Sequence, residues 1–326
     1  MRILHISLYD TNEPLIGLRT ELSKKGMYSD ISFVEYAKQN GGSFNGFEDL
    51  VIQKAIDLKP ELVFMHLQSG EPISNHTIDK LKAMGAITIG FTGDVRQPLP
   101  EFYYTLGMSL DLSLFTNYTD VEACIIRGIK AGFIHVGYDS LVFNPDGEQF
   151  PQSNDIVFMG NNYTGIFPLS SYREDIVKEL NINYHGKVAV FGSNWEHLEH
   201  RTSLMYRQDL EAAAYRRCKV AINCSHYDLP RYSSDRLNRI MGSGAFCLSQ
   251  RYKGIEADFI EGKEIECFGS IGEMKDKLSY YLNPSHDYLR IEIAKAGHKK
   301  MVENFTWSHF ADKLINLTEK IRNERN

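Results

Sequence analysis

Apolar positions along the chain come in short continuous runs. Each run is followed by a turn and then by a longer stretch with helical spacing. The runs at 3–7, 31–34, 62–66, 87–91, 112–115 and 133–136 predict buried parallel strands. Helix-patterned segments lie between them, at about 17–25, 47–58, 74–84 and 119–128. Their ends are punctuated. Ser74 stands where a side-chain oxygen can cap a helix start, Lys59-Pro60 stops the preceding helix, and Gly26, Gly85 and Gly128 sit at expected helix ends.

Strand and helix patterns in alternation mean βαβ units and a doubly wound parallel sheet. The alternation pauses at 137–153, where Pro145, Pro151, two glycines and polar residues read as a linker. It then resumes with strands at 156–159, 188–191, 220–224, 245–248 and 265–268. Helices are predicted at 172–180, 209–217, 236–241, 271–282 and 288–303, and a last one at about 308–321. The prediction is α/β, with one half at 1–150, a second at 151–307, and a C-terminal helix at 308–326. Such sheets bind ligands at the carboxyl ends of their strands, so two facing halves place the expected site in a central cleft.

Length and composition narrow the class. At roughly 100–200 residues per domain, 326 residues make about two domains. With 43% hydrophobic residues, 18 Tyr and 18 Phe, the chain has a core to bury and is not intrinsically disordered. No apolar run approaches the roughly 18 residues of a membrane span, so no transmembrane segment is expected. A net charge of −6 shows no broad footprint for nucleic acid, although a local basic groove stays open, with Lys and Arg near 24–25, 80–82 and 127–130. Five cysteines, an odd number with no Cys-x-x-Cys pair, sit mostly in apolar runs. They read as reduced thiols in a cytoplasmic protein. The N-terminal Met1–Ser7 reads as a strand rather than a signal peptide.

Four segments that follow predicted strands carry candidate chemistry. Phe91-Thr92-Gly93-Asp94-Val95-Arg96 joins glycine to an acid and a base; it is either a functional loop or a strand-end turn with a surface ion pair. Gly160-Asn161-Asn162-Tyr163 suits a loop whose N–H groups face an anion, and equally suits a plain turn; it is neither a Walker loop nor Gly-x-Gly-x-x-Gly. In Gly192-Ser193-Asn194-Trp195 the indole can stack on a base or sugar ring, or pack a domain edge.

The fourth segment, 226–244, is the most informative. Ser233, Ser234 or Asp235 can cap a helix whose free N–H groups face the cleft, and Arg231, Arg236 and Arg239 gather at that end. A helix N-terminus favours acids, so three arginines there point to a bound anion such as a diphosphate, against the alternative of a surface helix with an Asp228–Arg ion pair. His226 follows the same strand. It is a better candidate for the cleft than His5 or His66, which read as core histidines. Glu196-His197-Leu198-Glu199-His200 has neither zinc-protease spacing and reads as a solvated face. No Gly-x-Ser-x-Gly elbow and no nucleophilic cysteine context is present.

These residues carry a resemblance. The second half resembles the C-terminal domain of group 1 glycosyltransferases of GT-B fold, closest to their spore-maturation-protein-like (CgeB-like) branch. The matching pieces are Phe158-Met159-Gly160-Asn161-Asn162, Arg231-Tyr232-Ser233-Ser234-Asp235-Arg236 and Met241-Gly242-Ser243-Gly244-Ala245-Phe246. Gly254-Ile255-Glu256, Phe259, Tyr280-Tyr281-Leu282, Ala296-Gly297-His298 and Thr306-Trp307 continue the series. In the first half the 91–96 segment is similar to members of the same branch, and Gly137-Tyr138-Asp139 with Phe143 and Pro145 resembles the stretch between its domains. One position departs: many group 1 enzymes hold the donor ribose with a Glu where Arg239 stands here. The glycine pair of their first loop is also missing.

The resemblance implies two Rossmann-like domains, with a nucleotide-diphosphate sugar as co-substrate on the C-terminal one and neither a bound cofactor nor a bound metal. It makes Arg231 and Arg236 donor-phosphate candidates, joined at the donor site by Gly160, Asn161, Asn162, Tyr163, Trp195, His226, Ser233, Ser234 and Arg239. Glu256 becomes the substitute ribose carboxylate. Thr92, Gly93 and Arg96 would line the acceptor side, and Asp94 would orient or deprotonate the acceptor hydroxyl. The group 1 relationship favours retention of anomeric configuration. The acceptor is open among a glycan, a lipid-linked sugar, a protein and a hydroxymethylated DNA base. A non-catalytic nucleotide-sugar-binding module is the rival outside enzymes.

Overall fold

The computed structural model describes residues 1–8, 16–150, 154–198 and 207–325. They form two compact units, Met1–Val136 with Trp307–Asn326, and Gly137–Thr306. The first unit runs β1 (Arg2–Ser7), α1 (Ile16–Ser23), β2 (Met27–Ser32), α2 (Phe33–Gln39), α3 (Phe47–Leu58), β3 (Leu62–His66), α4 (Asn75–Ala83) and β4 (Ile87–Thr92). It continues with α5 (Glu101–Gly107), β5 (Leu112–Phe115), α6 (Tyr118–Ile126) and β6 (Ala131–Phe133). All six strands are parallel, in the order β2-β1-β3-β4-β5-β6.

The second unit runs β7 (Ile156–Met159), α7 (Ser170–Asn183), β8 (Val188–Phe191), α8 (Gln208–Arg217), β9 (Val220–Asn223) and α9 (Asp235–Gly242). Then come β10 (Cys247–Gln250), β11 (Glu266–Phe268), α10 (Ile271–Tyr281) and α11 (Asp287–Asn304). Its strands are parallel, in the order β11-β10-β9-β7-β8. From β7 the chain turns to β8 on one side, then crosses to β9 on the other. A crevice therefore opens where β7 and β9 part at their carboxyl ends, the usual ligand position in such sheets.

Both sheets are covered on both faces, which is why their strands read as continuous apolar runs. On β1, Leu4 and Ile6 face one core while Ile3 faces the other; on β7, Val157 and Met159 oppose Ile156 and Phe158. The last helix, α12 (Trp307–Arg325), lays Phe310 and Leu314 on the first sheet beside Ile3, Phe64 and Phe91.

Three local results differ from the sequence reading. The run at 31–34 does not continue as a strand: Ser32 ends β2 and its Oγ accepts from the Glu35 N–H at 3.1 Å, so Phe33 and Val34 open α2. The helix α5 has no counterpart among the predicted segments. The segment 137–150 is not a free linker. Tyr138 and Phe143 are buried in the second unit's core, and Arg216 of α8 donates to the carbonyls of Val142, Asn144 and Glu148. Residues 151–153 of that segment lie outside the described residues, as do residues 9–15.

His5 and His66 are buried in the first unit, His5 beside Phe64 and His66 beside Phe91, each with ring centroids 5.0 Å apart. Burial holds both neutral and pushes His66 down to about 3. The unfolded chain binds these protons from about pH 6.5 downward and the native chain does not, so stability falls as pH drops below that value. Near pH 5.5 the loss is about 1 kcal/mol per histidine. Melting temperatures at pH 7.5 and 5.5 check this. His66→Gln should lose less on acidification than the parent chain, and an equal loss in both refutes the assignment.

Candidate functional site

The crevice of the second sheet is built from the loop after β7, the end of β9 and the start of α9. The loop is Gly160-Asn161-Asn162-Tyr163. Gly160 has φ +138°, and a Cβ there would collide with Nη2 of Arg173 and Nη1 of Arg236. Only glycine lets the backbone pass under both guanidinium groups. Gly192, after β8, has φ +141°, and a Cβ there would strike the Gly160 carbonyl. The two loops are stitched together. Asn161 Oδ1 accepts from the Ser193 N–H (2.8 Å), the Asn162 N–H donates to the Ser193 carbonyl (2.9 Å), and Asn194 Nδ2 donates to the Asn162 carbonyl (3.0 Å).

Arg173 is a functional candidate that sequence reading missed. It projects from α7 and is 1% exposed. Its guanidinium donates to the Cys224 carbonyl and to the Asn161 carbonyl (3.3 Å), tying the ends of β9 and β7 together, and lies over the Phe158 ring at 5.1 Å. Arg236, on the first turn of α9, donates to the same Cys224 carbonyl at 3.2 Å. No carboxylate among the described residues pairs with either arginine. Burial, and then the charge of Arg236, push Arg173 down to about 9, a sign of two cations crowded at one place. A signal for Arg173 was present in the sequence. With Ile176, Val177 and Leu180 it forms the i, i+3, i+4, i+7 stripe that faces inward, an arginine in an apolar position.

The other two arginines are not available in the same way. Arg231, with φ +59°, is gripped in bidentate fashion by Asp258, Nε lying 3.0 Å from Oδ2. Arg239 pairs with Glu211 (3.1 Å) and Asp235 (2.6 Å), and these carboxylates raise its pKa despite its burial. Both positions are corrected here: their charge is already neutralised within the protein, so of the three arginines read at this helix only Arg236 is uncommitted to a carboxylate among the described residues. Trp195 is also corrected. It is fully buried, donates from Nε1 to the Gly160 carbonyl at 2.7 Å, and meets Phe158 edge-on, so it supports the loop from beneath and offers no stacking face. Asn162 is 2% exposed and belongs to the same support.

Ser234 stands at the N-cap of α9, but its Oγ bonds Asn223 Oδ1 (3.0 Å) and caps nothing. Ser233 Oγ donates to the Ser234 carbonyl. His226 lies between Tyr163 and Phe167, at ring distances of 5.1 and 4.8 Å. Burial and the charges of Arg173 and Arg236 push it down to about 3, and its Nδ1 is buried without a hydrogen-bond partner among the described residues. Glu256 is exposed on the short turn Ile255–Ala257. It borders a separate cavity of about 340 Å³ with Asp228, Lys253 and Tyr252.

In the first unit, Asp94 is exposed and accepts from Gln68 Nε2, while Arg96 Nη1 donates to the Gln68 carbonyl at 2.6 Å. Thr92 is buried, its hydroxyl bonded to Tyr103 OH (3.1 Å) and to the Asp94 N–H (3.2 Å). It shapes the loop and presents nothing to a ligand, a further correction. A Cβ on Gly93 would rest in ordinary contact with the Phe91 ring. Of the basic residues named for a groove, Lys24, Lys25, Lys82 and Arg127 pair with Glu21, Asp312, Asp111 and Glu101. Glu196 and His197 join no metal-ligand group among the described residues. Glu199 and His200 lie outside those residues.

Residues 173–316 match a family model described as glycosyl transferase-like. No curated protein sequence matches the chain. Among solved structures, 98% of the chain aligns with a glycosyltransferase from Rickettsia africae at 12% identity, covering 98% of that chain with a TM-score of 0.64. The same share aligns with a sucrose-phosphate synthase from Thermosynechococcus elongatus at 11% identity, covering 98% of it with a TM-score of 0.67. It also aligns with Anabaena HepE, solved in complex with UDP and glucose, at 11% identity, covering 100% with a TM-score of 0.65. The fold is thus that of the GT-B glycosyltransferases, two Rossmann-like α/β domains.

Gly160→Ala tests the loop geometry. The methyl group meets two guanidinium groups on a backbone that disfavours it, so the variant should lose about 1–3 kcal/mol of stability. Thermal unfolding measures this. An alanine variant as stable as the parent would show that the loop is not constrained as described.

Proposed function

We propose that the protein is a glycosyltransferase that moves a sugar from a nucleotide-diphosphate sugar to a hydroxyl acceptor. The observation that carries this reading is the pair Arg173 and Arg236, two guanidinium groups without a carboxylate among the described residues, at the switch point of the second sheet. In the reaction the bond from the anomeric carbon to the diphosphate breaks, and a bond to the acceptor oxygen forms. Negative charge grows on the leaving diphosphate. Two cations fixed in a shielded site stabilise that charge more than they stabilise the bound donor, which is what lowers the barrier. Free N–H groups at the start of α9, left uncapped by Ser234, add to the same field.

In this reading the second unit is the donor side, with the Asn161–Tyr163 loop along the donor. The first unit is the acceptor side. There Asp94 orients or deprotonates the acceptor hydroxyl, and Arg96 holds the loop. The arginine pair takes the part that a divalent cation plays in other transferases, so turnover is metal-independent. The spore-maturation-protein-like branch, retention at the anomeric carbon, and a cytoplasmic setting for the five free thiols complete the reading. Uridine is the first nucleotide to test, because HepE is solved with UDP and with UDP-glucose.

A thermal-shift screen against UDP-, GDP-, ADP- and dTDP-sugars in EDTA identifies the donor, since a ligand that binds only the folded state raises Tm. With that donor, Arg236→Ala should lower transfer or donor hydrolysis by about 10²- to 10³-fold while Tm changes little. Arg239→Ala should do the reverse: it leaves Glu211 buried without its partner, so Tm falls. Unchanged turnover in Arg236→Ala would sink its role, and no shift with any donor would sink the transferase reading.

A further inference from the structure

We propose that His226 takes up a proton when a diphosphate occupies the site, becoming its third cation; the inference rests on the donor reading above. The ring is held in an aromatic slot between Tyr163 and Phe167, and Nδ1 is buried with no partner among the described residues. Arg173 from α7 and Arg236 from α9, both cationic, donate to the carbonyl of Cys224, two residues before the ring. Tyr163, from the loop after β7, is the titratable ring packed directly against it. Burial and then these two positive charges keep the imidazole neutral.

A bound diphosphate opposes the charge influence and leaves the burial in place. It neutralises the two guanidinium groups, places negative charge near the ring, and offers an oxygen to a ring N–H. A neutral ring that gains an anion at close range binds a proton, and linkage then requires that the anion bind more tightly as pH falls. The device also serves catalysis. The proton arrives with the donor and stays while charge grows on the leaving group, so no reorganisation is needed when the glycosidic bond breaks.

Calorimetry with UDP-glucose tests this, because its diphosphate diester carries no group that titrates near neutrality. Binding heats at pH 7 in buffers of different ionisation enthalpy give the number of protons taken up. The parent chain should take up a net fraction of a proton per UDP-glucose at pH 7 and more at pH 6, and affinity should rise as pH falls from 8 to 6, by up to about tenfold per unit. His226→Gln, and His226→Phe as a second variant that fills the aromatic slot, should still bind but take up none. Binding by the parent chain without proton uptake, or equal uptake in either variant, overturns the proposal and leaves the donor reading standing. No binding of UDP-glucose or of sulfate overturns both.

Discussion

A single buried guanidinium organises the second domain. Arg173 reaches from α7 to the carbonyls of Cys224 and Asn161, and so clamps the ends of the two strands that part at the switch point. A buried cation without a carboxylate costs several kcal/mol of desolvation. Carbonyl hydrogen bonds and the face of Phe158 offset part of that cost, and Arg236 alongside increases it. Groups held at such a cost are characteristic of functional sites. In the proposed reading a bound diphosphate is the counter-charge for both arginines.

The remaining charge around the site is arranged differently. Arg231 and Arg239 are matched with Asp258, Glu211 and Asp235, and each pair holds a loop or helix in place. Arg231 adopts a left-handed backbone and packs against Gly254, which fixes the turn that leads into Glu256. Arg231 and Arg239 thus carry counter-ions, whereas no carboxylate among the described residues pairs with Arg173 or Arg236. His226 belongs with the second group because it feels the same uncompensated field. The loop beneath them is rigid for a related reason: Trp195, Asn161, Asn162 and Asn194 satisfy its backbone and hold it against the neighbouring β8 loop.

Much of this was legible in the chain. Runs buried on both faces identify themselves by continuous apolar character, so the parallel strands and the doubled α/β architecture follow from pattern alone. The position of the Gly160–Tyr163 loop after β7 and of Arg236 at the start of α9 was legible too, although the cap expected from Ser233, Ser234 or Asp235 does not form. The failures share one cause. Arg231, Arg236 and Arg239 are the same residue type on one segment; Asp235, four positions before Arg239, is a local partner, but the carboxylates of Asp258 and Glu211 come from 27 and 28 positions away. Trp195 follows a strand as a ligand-stacking residue would, yet the indole turns inward to the Gly160 carbonyl.

The sequence by itself determined the elements, their alternation and the residue types at the strand ends, because these depend on the periodicity of burial and on local backbone preference. Tertiary structure alone decided which charges are paired and which are left without counter-ions. Arg173 is the clearest case. Its inward stripe was written in α7, but its meaning depends on β7 and β9 meeting at one end of the sheet, and that juxtaposition exists only when residues more than 50 positions apart are brought together.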